Sequence, residues 1–185
     1  MNAIYKFGWI PNEQRRYEHP NVFAVEKTSG PARLVIAPSA NHVSILIELL
    51  QLIAEPIGVL YVLVVPRGGS EAGRYQSASP VSRKRAEEFL TRFREYFEND
   101  ARHDIWLAST SDSNQLVYDR HNVIYAYGSL PEFENVLARR GLANAESVRF
   151  PSPHTHNYHA AFDQDEKGVL QHWDWRRSPL RESDE

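Results

Sequence analysis

Three histidines stand close together in residues 154–159, at positions His154, His156 and His159. If this stretch is extended, His154 and His156 point to the same face, because side chains alternate along a strand. Neutral imidazole is a common ligand of divalent transition metals. The spacing predicts a divalent-metal site with all three histidines as ligands. The alternative is an exposed, hydrogen-bonded turn next to Pro151 and Pro153 that binds no metal.

Further metal-binding side chains follow in the last quarter of the chain, namely Asp163, Asp165 and His172. With one of the aspartates as a fourth ligand or a general base, the cluster predicts a metal-assisted hydrolase. The sequence does not contain the glutamate-flanked helical histidine pair of zinc proteases, so the signal for a metal-dependent enzyme is weak.

A second set of residues is small or basic and follows the predicted strands. Its members are Ser39, Arg67, Gly68, Gly69, Arg74 and Ser109. If these strands are parallel, their carboxyl ends share the sheet edge at which α/β proteins bind ligands. Glycine lets a ligand approach the backbone, and arginine binds phosphate or carboxylate. The set predicts an anionic ligand site, or an enzyme acting on a phosphorylated small molecule.

Known motifs do not explain this glycine-rich segment. Residues 68–73 match neither a phosphate-binding loop with its Gly-Lys-Ser/Thr ending nor a dinucleotide-binding Gly-x-Gly-x-x-Gly. Ser70 is followed by no predicted helix before Ser79, whereas a nucleophile elbow requires a helix directly after its serine. The sequence therefore argues against a serine hydrolase.

A third set is basic. Arg83, Lys84 and Arg85 fall in the first turns of a predicted helix, where the helix dipole disfavours each positive charge by about 0.3–1 kcal/mol. Together with Arg67 and Arg74 they predict a basic patch facing an acidic protein or an anionic ligand. A non-catalytic binding or interaction protein is therefore the leading functional hypothesis. The alternative for the patch is a solvated helix face without a partner.

The predicted elements that position these residues alternate between strand and helix. Strands are predicted at 34–37, 58–65 and 105–108, helices at about 40–54 and 80–99, a hairpin at 115–118 and 123–127, a helix from 130 to 140, and a last strand at 148–150. The continuous apolar run at 58–65 is typical of the middle of a parallel sheet. The order predicts an α/β fold with a βαβαβ start, right-handed crossovers, a mixed sheet with an added antiparallel hairpin, and helices packed on the sheet.

Length and composition restrict the class of protein. A chain of 185 residues fits a single domain over 1–185, in which we expect 151–185 to form an extended tail packed on the body. The absence of cysteine excludes disulfides, thiolate metal sites and a cysteine nucleophile. The net charge of −3 argues against nucleic acid as a partner.

Cellular location and assembly are predicted from what the sequence does not contain. The chain shows no secretory signal and no apolar run of membrane-spanning length, so we expect a soluble cytoplasmic protein. A homodimer is compatible with the aromatic content. No residue argues for it specifically.

Overall fold

The computed structural model describes residues 4–9 and 15–184. The strands in these residues are β1 (Phe7–Trp9), β2 (Arg15–Arg16), β3 (Val22–Glu26), β4 (Arg33–Ala37), β5 (Ile57–Leu63), β6 (Gly73–Ser77), β7 (His103–Ser109), β8 (Gln115–Tyr118), β9 (Ile124–Tyr127), β10 (Ala143–Asn144), β11 (His154–His156) and β12 (Trp175–Ser178). The helices are α1 (His42–Leu50), α2 (Arg83–Arg92), α3 (Arg94–Asn99), α4 (Leu130–Arg139) and α5 (Asp163–Leu170). None of these helices is long and apolar enough to cross a membrane.

A large sheet of nine strands organises the chain, in the order β10-β3-β4-β9-β8-β7-β5-β6-β12. Its neighbouring strands pair antiparallel, except for β10 and β3, which are parallel. A smaller antiparallel sheet has the order β11-β1-β2. The mixed sheet, the added β8–β9 hairpin and the helices packed on the sheet confirm the predicted fold class.

The predicted parallel pairing is wrong. Strand β5 carries the long apolar run, and it pairs antiparallel with both β6 and β7. Strands β4 and β5 run in the same direction, but β9, β8 and β7 lie between them. An antiparallel strand that is covered on both faces needs the same apolar residues as a parallel one, so the sequence of β5 alone could not distinguish the two.

The helices pack on one face of the large sheet. Alternate strand residues such as Tyr61, Ile105 and Leu116 belong to one apolar core together with Leu46 of α1 and Phe89 of α2. The opposite face carries only a small apolar cluster around Val35, Ala37 and Val123 among the described residues. This second face, here called the helix-free face, is therefore available for polar side chains and cavities.

Two helix starts differ from the predicted ones. Helix α1 begins after Asn41, which has a left-handed φ of 59° and no side-chain cap, rather than after Ser39. Helix α2 is capped by Ser82, not by Ser79. Between these two serines, Val81 exchanges two backbone hydrogen bonds of 2.8 Å with Ile57. The chain therefore stays extended at Val81, and the helix starts one turn later.

Two strands also differ. Residues 73–77 were expected in a loop but form β6 beside β5, and residues 148–150 form no strand. In the last part of the chain, β12 extends the large sheet at β6, and Trp173 and Trp175 pack against the core. The indole Nε1 of Trp175 also donates to the carbonyl oxygen of Val169 at 3.0 Å.

Candidate functional site

Three histidine rings meet where the β8–β9 hairpin loop approaches the small sheet. One ring nitrogen each of His121, His154 and His156 lies within 4.8 Å of the others. The ring centroids are 4.7–5.5 Å apart. We call this group the histidine cluster. It brings together two of the three predicted metal ligands and adds His121, which the sequence did not indicate.

Strand β11 positions His154 and His156. It pairs with β1 so that His156 is opposite Phe7 and His154 is opposite Trp9. The ring of Phe7, which is buried, lies 5.3 Å from the His154 ring and 5.9 Å from the His156 ring. Both imidazoles therefore project on the same face of β11, as alternation along a strand predicts.

The hairpin loop positions His121 through Asp119. One carboxylate oxygen of Asp119 accepts the backbone N–H groups of His121 at 2.9 Å and Val123 at 3.0 Å. The other oxygen lies 2.8 Å from Nδ1 of His121. Because a carboxylate only accepts, we assign the ring proton of His121 to Nδ1, which leaves Nε2 with a free lone pair. A carboxylate behind a histidine is the usual way in which proteins orient a metal ligand.

The ionised state of Asp119 follows from these contacts. Burial raises the pKa of this carboxyl, but the hydrogen bonds from His121 and Val123, together with the charge of Lys6, outweigh burial. The pKa of Asp119 is therefore lower than its ordinary value. The carboxylate is charged at neutral pH and keeps the ring proton of His121 on Nδ1.

The other two rings also have nitrogens that suit a metal. Nδ1 of His154 lies 3.1 Å from the carbonyl oxygen of Pro151, so it carries the proton and Nε2 is free. Nε2 of His156 is buried and has no hydrogen-bond partner among the described residues. Burial, together with the charge of Arg120, lowers the pKa of His156 to about 4. His156 is therefore neutral at pH 7, which is the form that binds a metal.

The geometry fits a tetrahedral zinc ion after a small contraction. With zinc–nitrogen bonds of about 2.0–2.1 Å, ligand nitrogens are about 3.3 Å apart, so the rings would close by at most roughly 1.5 Å. Three protein ligands leave a fourth position open, as in catalytic zinc sites. His154 is exposed, so solvent and small molecules reach the cluster.

A cavity of about 320 Å³ lies on the helix-free face beside the histidine cluster. His121 lines it together with Asp104, Trp106, Asp119, Arg120, Tyr125 and Tyr127. Burial, and next the charge of Asp119, raise the pKa of Asp104 to about 6. Two carboxyl groups with pKa values shifted in opposite directions therefore border the same space.

The remaining predicted metal ligands lie elsewhere. His159 faces the buried Arg102 region, where its backbone N–H donates to Asp100 at 2.7 Å and its Nε2 contacts the carbonyl oxygen of Tyr5 at 3.0 Å. Asp163 pairs with Arg102 at 3.1 Å. Strand β11 ends at His156, so the alternation that aligns His154 with His156 does not extend to His159.

The predicted anionic ligand site is divided among distant places. Ser39 follows β4 and Arg67 follows β5 at the same end of the sheet, but four strand spacings, about 19 Å, separate these strands. Ser109 pairs with Ile57 at the beginning of β5 and therefore lies at the opposite end. The prediction of one shared ligand-binding edge required neighbouring parallel strands, and the strands that carry these residues are not parallel neighbours.

Gly68 and the two arginines of that set have partners inside the protein. The backbone N–H of Gly68 points to Glu166 at 3.4 Å, and Gly69 adopts a left-handed φ of 84°. Arg67 pairs with Asp163 at 3.2 Å, and Arg74 is buried. The segment is thus tied to α5 and the sheet.

The predicted basic patch is partly neutralised from within. Four of its five cations have internal partners: Arg67 with Asp163, Arg74 with Asp184 at 2.5 Å, Arg83 with the carbonyl oxygens of Leu50 at 3.3 Å and Ile53 at 2.8 Å, and Lys84 with Glu88 at 4.0 Å. Lys84 and Arg85 are exposed on α2. The five residues do not form one continuous cationic surface.

His121 and Asp119 belong to the candidate site but were not predicted from the sequence. They lie in Asp119-Arg120-His121-Asn122, a segment typical of a hairpin turn, and they precede His154 by more than 30 residues. An aspartate two residues before a histidine was the available signal, because such a pair can hydrogen-bond within a turn.

Comparison of the chain with known protein families, with characterised proteins and with solved structures returned no match. The geometry of the histidine cluster and of the cavity beside it is therefore the basis for the functional proposal.

Proposed function

We propose that this protein binds a divalent transition metal, preferentially zinc, through His121, His154 and His156, and acts as a metal-dependent hydrolase on a ligand in the adjoining cavity. The observation that carries the proposal is the convergence of three ring nitrogens within 4.8 Å. The hydrogen bond from Nδ1 of His121 to Asp119 supports it, since it directs the free lone pair of His121 away from that carboxylate.

The ligand types favour zinc among the common metals. Three neutral imidazoles suit zinc, copper, nickel and iron, whereas calcium and magnesium prefer oxygen ligands. A zinc ion with three protein ligands lowers the pKa of water in the open position to about 7 and polarises a carbonyl or phosphoryl oxygen. Hydrolysis is therefore the reaction class that such a centre supports best.

The chain's own residues supply the remaining requirements of hydrolysis. Asp119 holds the ring of His121 in one orientation. Asp104 borders the cavity and is the candidate proton acceptor there, and a general base works best when its pKa is close to the operating pH. Arg120 and the aromatic rings of Trp106 and Tyr125 provide contacts for a bound molecule.

The other two hypotheses from the sequence have less geometric support. The acidic-partner hypothesis relied on one patch, and four of its five cations have partners inside the chain. The phosphorylated-ligand hypothesis relied on a shared sheet edge, and Ser39, Arg67 and Ser109 lie far apart. Both stay predictions.

The first test is zinc binding by calorimetry. Untagged protein is stripped of metal with a chelator, which is then removed by dialysis. We expect one zinc ion per chain, and a loss of affinity of roughly 100-fold or more in His121→Ala and in His154→Ala, because each removes a ligand. His172→Ala is the matched control, since its ring packs against Phe89 away from the cluster.

A second measurement separates binding from reaction. Cobalt in place of zinc reports the coordination geometry through its visible absorption, and an activated ester reports hydrolysis. Zinc-dependent ester hydrolysis that disappears in His154→Ala would support the hydrolase. Stoichiometric zinc without hydrolysis would reduce the proposal to a structural metal site, and no stoichiometric zinc in the wild-type protein would refute it.

A further inference from the structure

The carboxylate of Asp184 lies beside two arginines on the helix-free face. Residues Glu182–Asp184 form a single helical turn, and Asp184 is only 4% exposed. Nη1 of Arg74 donates to Oδ1 of Asp184 at 2.5 Å. Nη2 of Arg120 donates to the backbone carbonyl oxygen of the same residue. One arginine from β6 and one from the β8–β9 hairpin loop thus contact the same acidic residue.

The arginine that holds the carboxylate is itself buried. Arg74 is 8% exposed, and its guanidinium carbon lies 5.5 Å from the centroid of the Trp106 ring. A buried guanidinium is strongly destabilising when its anionic partner is removed. The position next to Trp106 therefore requires a carboxylate or another anion, whichever molecule supplies it.

Few other contacts attach the turn that carries Asp184 to the sheet. Arg181, Glu182 and Ser183 are exposed. Among the described residues, the hydrogen bonds that join the turn to the sheet both end on Asp184. The turn contributes no side chain to the apolar core. Its attachment therefore depends on Asp184, whose carboxylate an outside anion can replace at Arg74.

The space beside Asp184 is large enough for such an anion. The cavity of about 320 Å³ is bounded by Ser183 and Asp184 on one side, and by Trp106, Tyr125 and Tyr127 on the others. This volume is at the lower end of the range for small-molecule sites. Aromatic walls favour a planar, apolar ligand body, because rings pack well against rings.

We infer that Arg74 and Arg120 form a carboxylate-binding subsite, which Asp184 of the C-terminal turn and an aromatic carboxylate ligand occupy in competition. The ligand carboxylate takes the place of the Asp184 carboxylate, and its ring enters the cavity. The exchange replaces one negative charge with another, so the charge balance with Asp104 and Asp119 in the cavity is preserved. The inference does not depend on the metal centre, although His121 borders the same cavity.

The test compares two acidic residues of the same turn. Asp184→Asn removes the buried charge, whereas Glu182→Gln removes an exposed one and serves as the matched control. The probe is benzoate, with the uncharged isostere benzamide as the ligand control, and binding is measured by calorimetry. We expect Asp184→Asn to bind benzoate roughly tenfold more tightly than the wild type and Glu182→Gln, because the internal competitor is gone. Benzamide should not bind, and adding Arg120→Ala should abolish the gain.

A measurement on the wild-type protein covers the case in which Asp184→Asn does not fold. Trypsin cleaves after Arg181, which leads into the turn, and mass spectrometry follows this cleavage separately from that at Arg176 and Arg177. Benzoate should accelerate cleavage after Arg181 relative to benzamide at equal ionic strength, because it releases the turn. Equal benzoate affinity in all three proteins, or an unchanged cleavage rate at high benzoate concentration, would overturn the subsite.

The outcome is separable from that of the metal proposal. Zinc titration of Asp184→Asn should give the wild-type affinity, since Asp184 contacts none of the three histidines. Loss of the benzoate effect with intact zinc binding would refute the subsite alone.

Discussion

Replacing Asp119 with asparagine tests whether the carboxylate behind His121 orients this ring for metal binding. The carboxylate of Asp119 accepts Nδ1–H of His121 at 2.8 Å and two backbone N–H groups. An asparagine side chain has one oxygen, which can keep the backbone contacts. Its amide NH₂ group would then face Nδ1 of His121. Two donors would oppose each other, so the imidazole would move its proton to Nε2 and lose the lone pair that the metal requires.

The magnitude follows from this change of tautomer. Loss of a carboxylate behind a metal-binding histidine typically lowers metal affinity by about 10- to 100-fold, which corresponds to roughly 1.4–2.7 kcal/mol. Asp119 is 8% exposed, so the mismatched hydrogen bond should also lower the free energy of unfolding by about 1–3 kcal/mol. The first effect appears in zinc calorimetry and the second in urea unfolding of the metal-free protein.

A similar aspartate provides the control for this experiment. Asp112 also caps a turn after a strand, where it accepts the backbone N–H of Asn114 at 2.7 Å, but it lies in the loop between β7 and β8 at the opposite end of the sheet. Asp112→Asn should leave zinc affinity unchanged. If Asp119→Asn binds zinc within twofold of the wild type, the assigned tautomer of His121 and its role as a ligand are wrong.

Two further predictions concern stability. Burial first, and next the charge of Lys6, lower the pKa of His42 to about 3, and burial lowers the pKa of His103 well below its ordinary value. As the pH falls below about 6.5, each of these two histidines binds a proton in the unfolded chain but not in the folded protein. With respect to these two groups, the free energy of unfolding is therefore greatest above about pH 6.5. The free energy of unfolding should decrease by about 1.4 kcal/mol per histidine for each pH unit below that value. Urea unfolding between pH 7.5 and 5 measures this dependence. A free energy that does not change with pH would contradict the neutral, buried state of both rings. Gly128→Ala should destabilise the protein by more than Gly141→Ala. Both glycines have positive φ, which penalises alanine by about 1–2 kcal/mol. Only at Gly128 would the new Cβ also clash with a neighbouring residue, Asn114. Equal melting temperatures for the two variants would contradict this packing.

Local patterns predicted the elements whose residues alternate or repeat clearly. The β8–β9 hairpin and strand β4 lie within a residue of their predicted positions, since apolar and turn-forming residues mark them directly. Strand β6 was missed because it contains Gly73, Arg74 and Gln76, which are typical of loops. Arg74 is tolerated in the strand because Asp184, more than 100 residues later, neutralises it. No local pattern contains that information.

The sequence by itself determined that His154 and His156 face the same way, because alternation along an extended chain is a property of the backbone alone. It also determined the fold class, since the lengths and apolar faces of the elements require helices on a sheet. The tertiary structure decided which strands are neighbours and in which direction they run. It thereby separated Ser39 from Ser109 and brought His121 to the two later histidines. Pairing depends on contacts between distant segments, and these contacts form only when the whole core is buried, so residue patterns within one segment do not specify them.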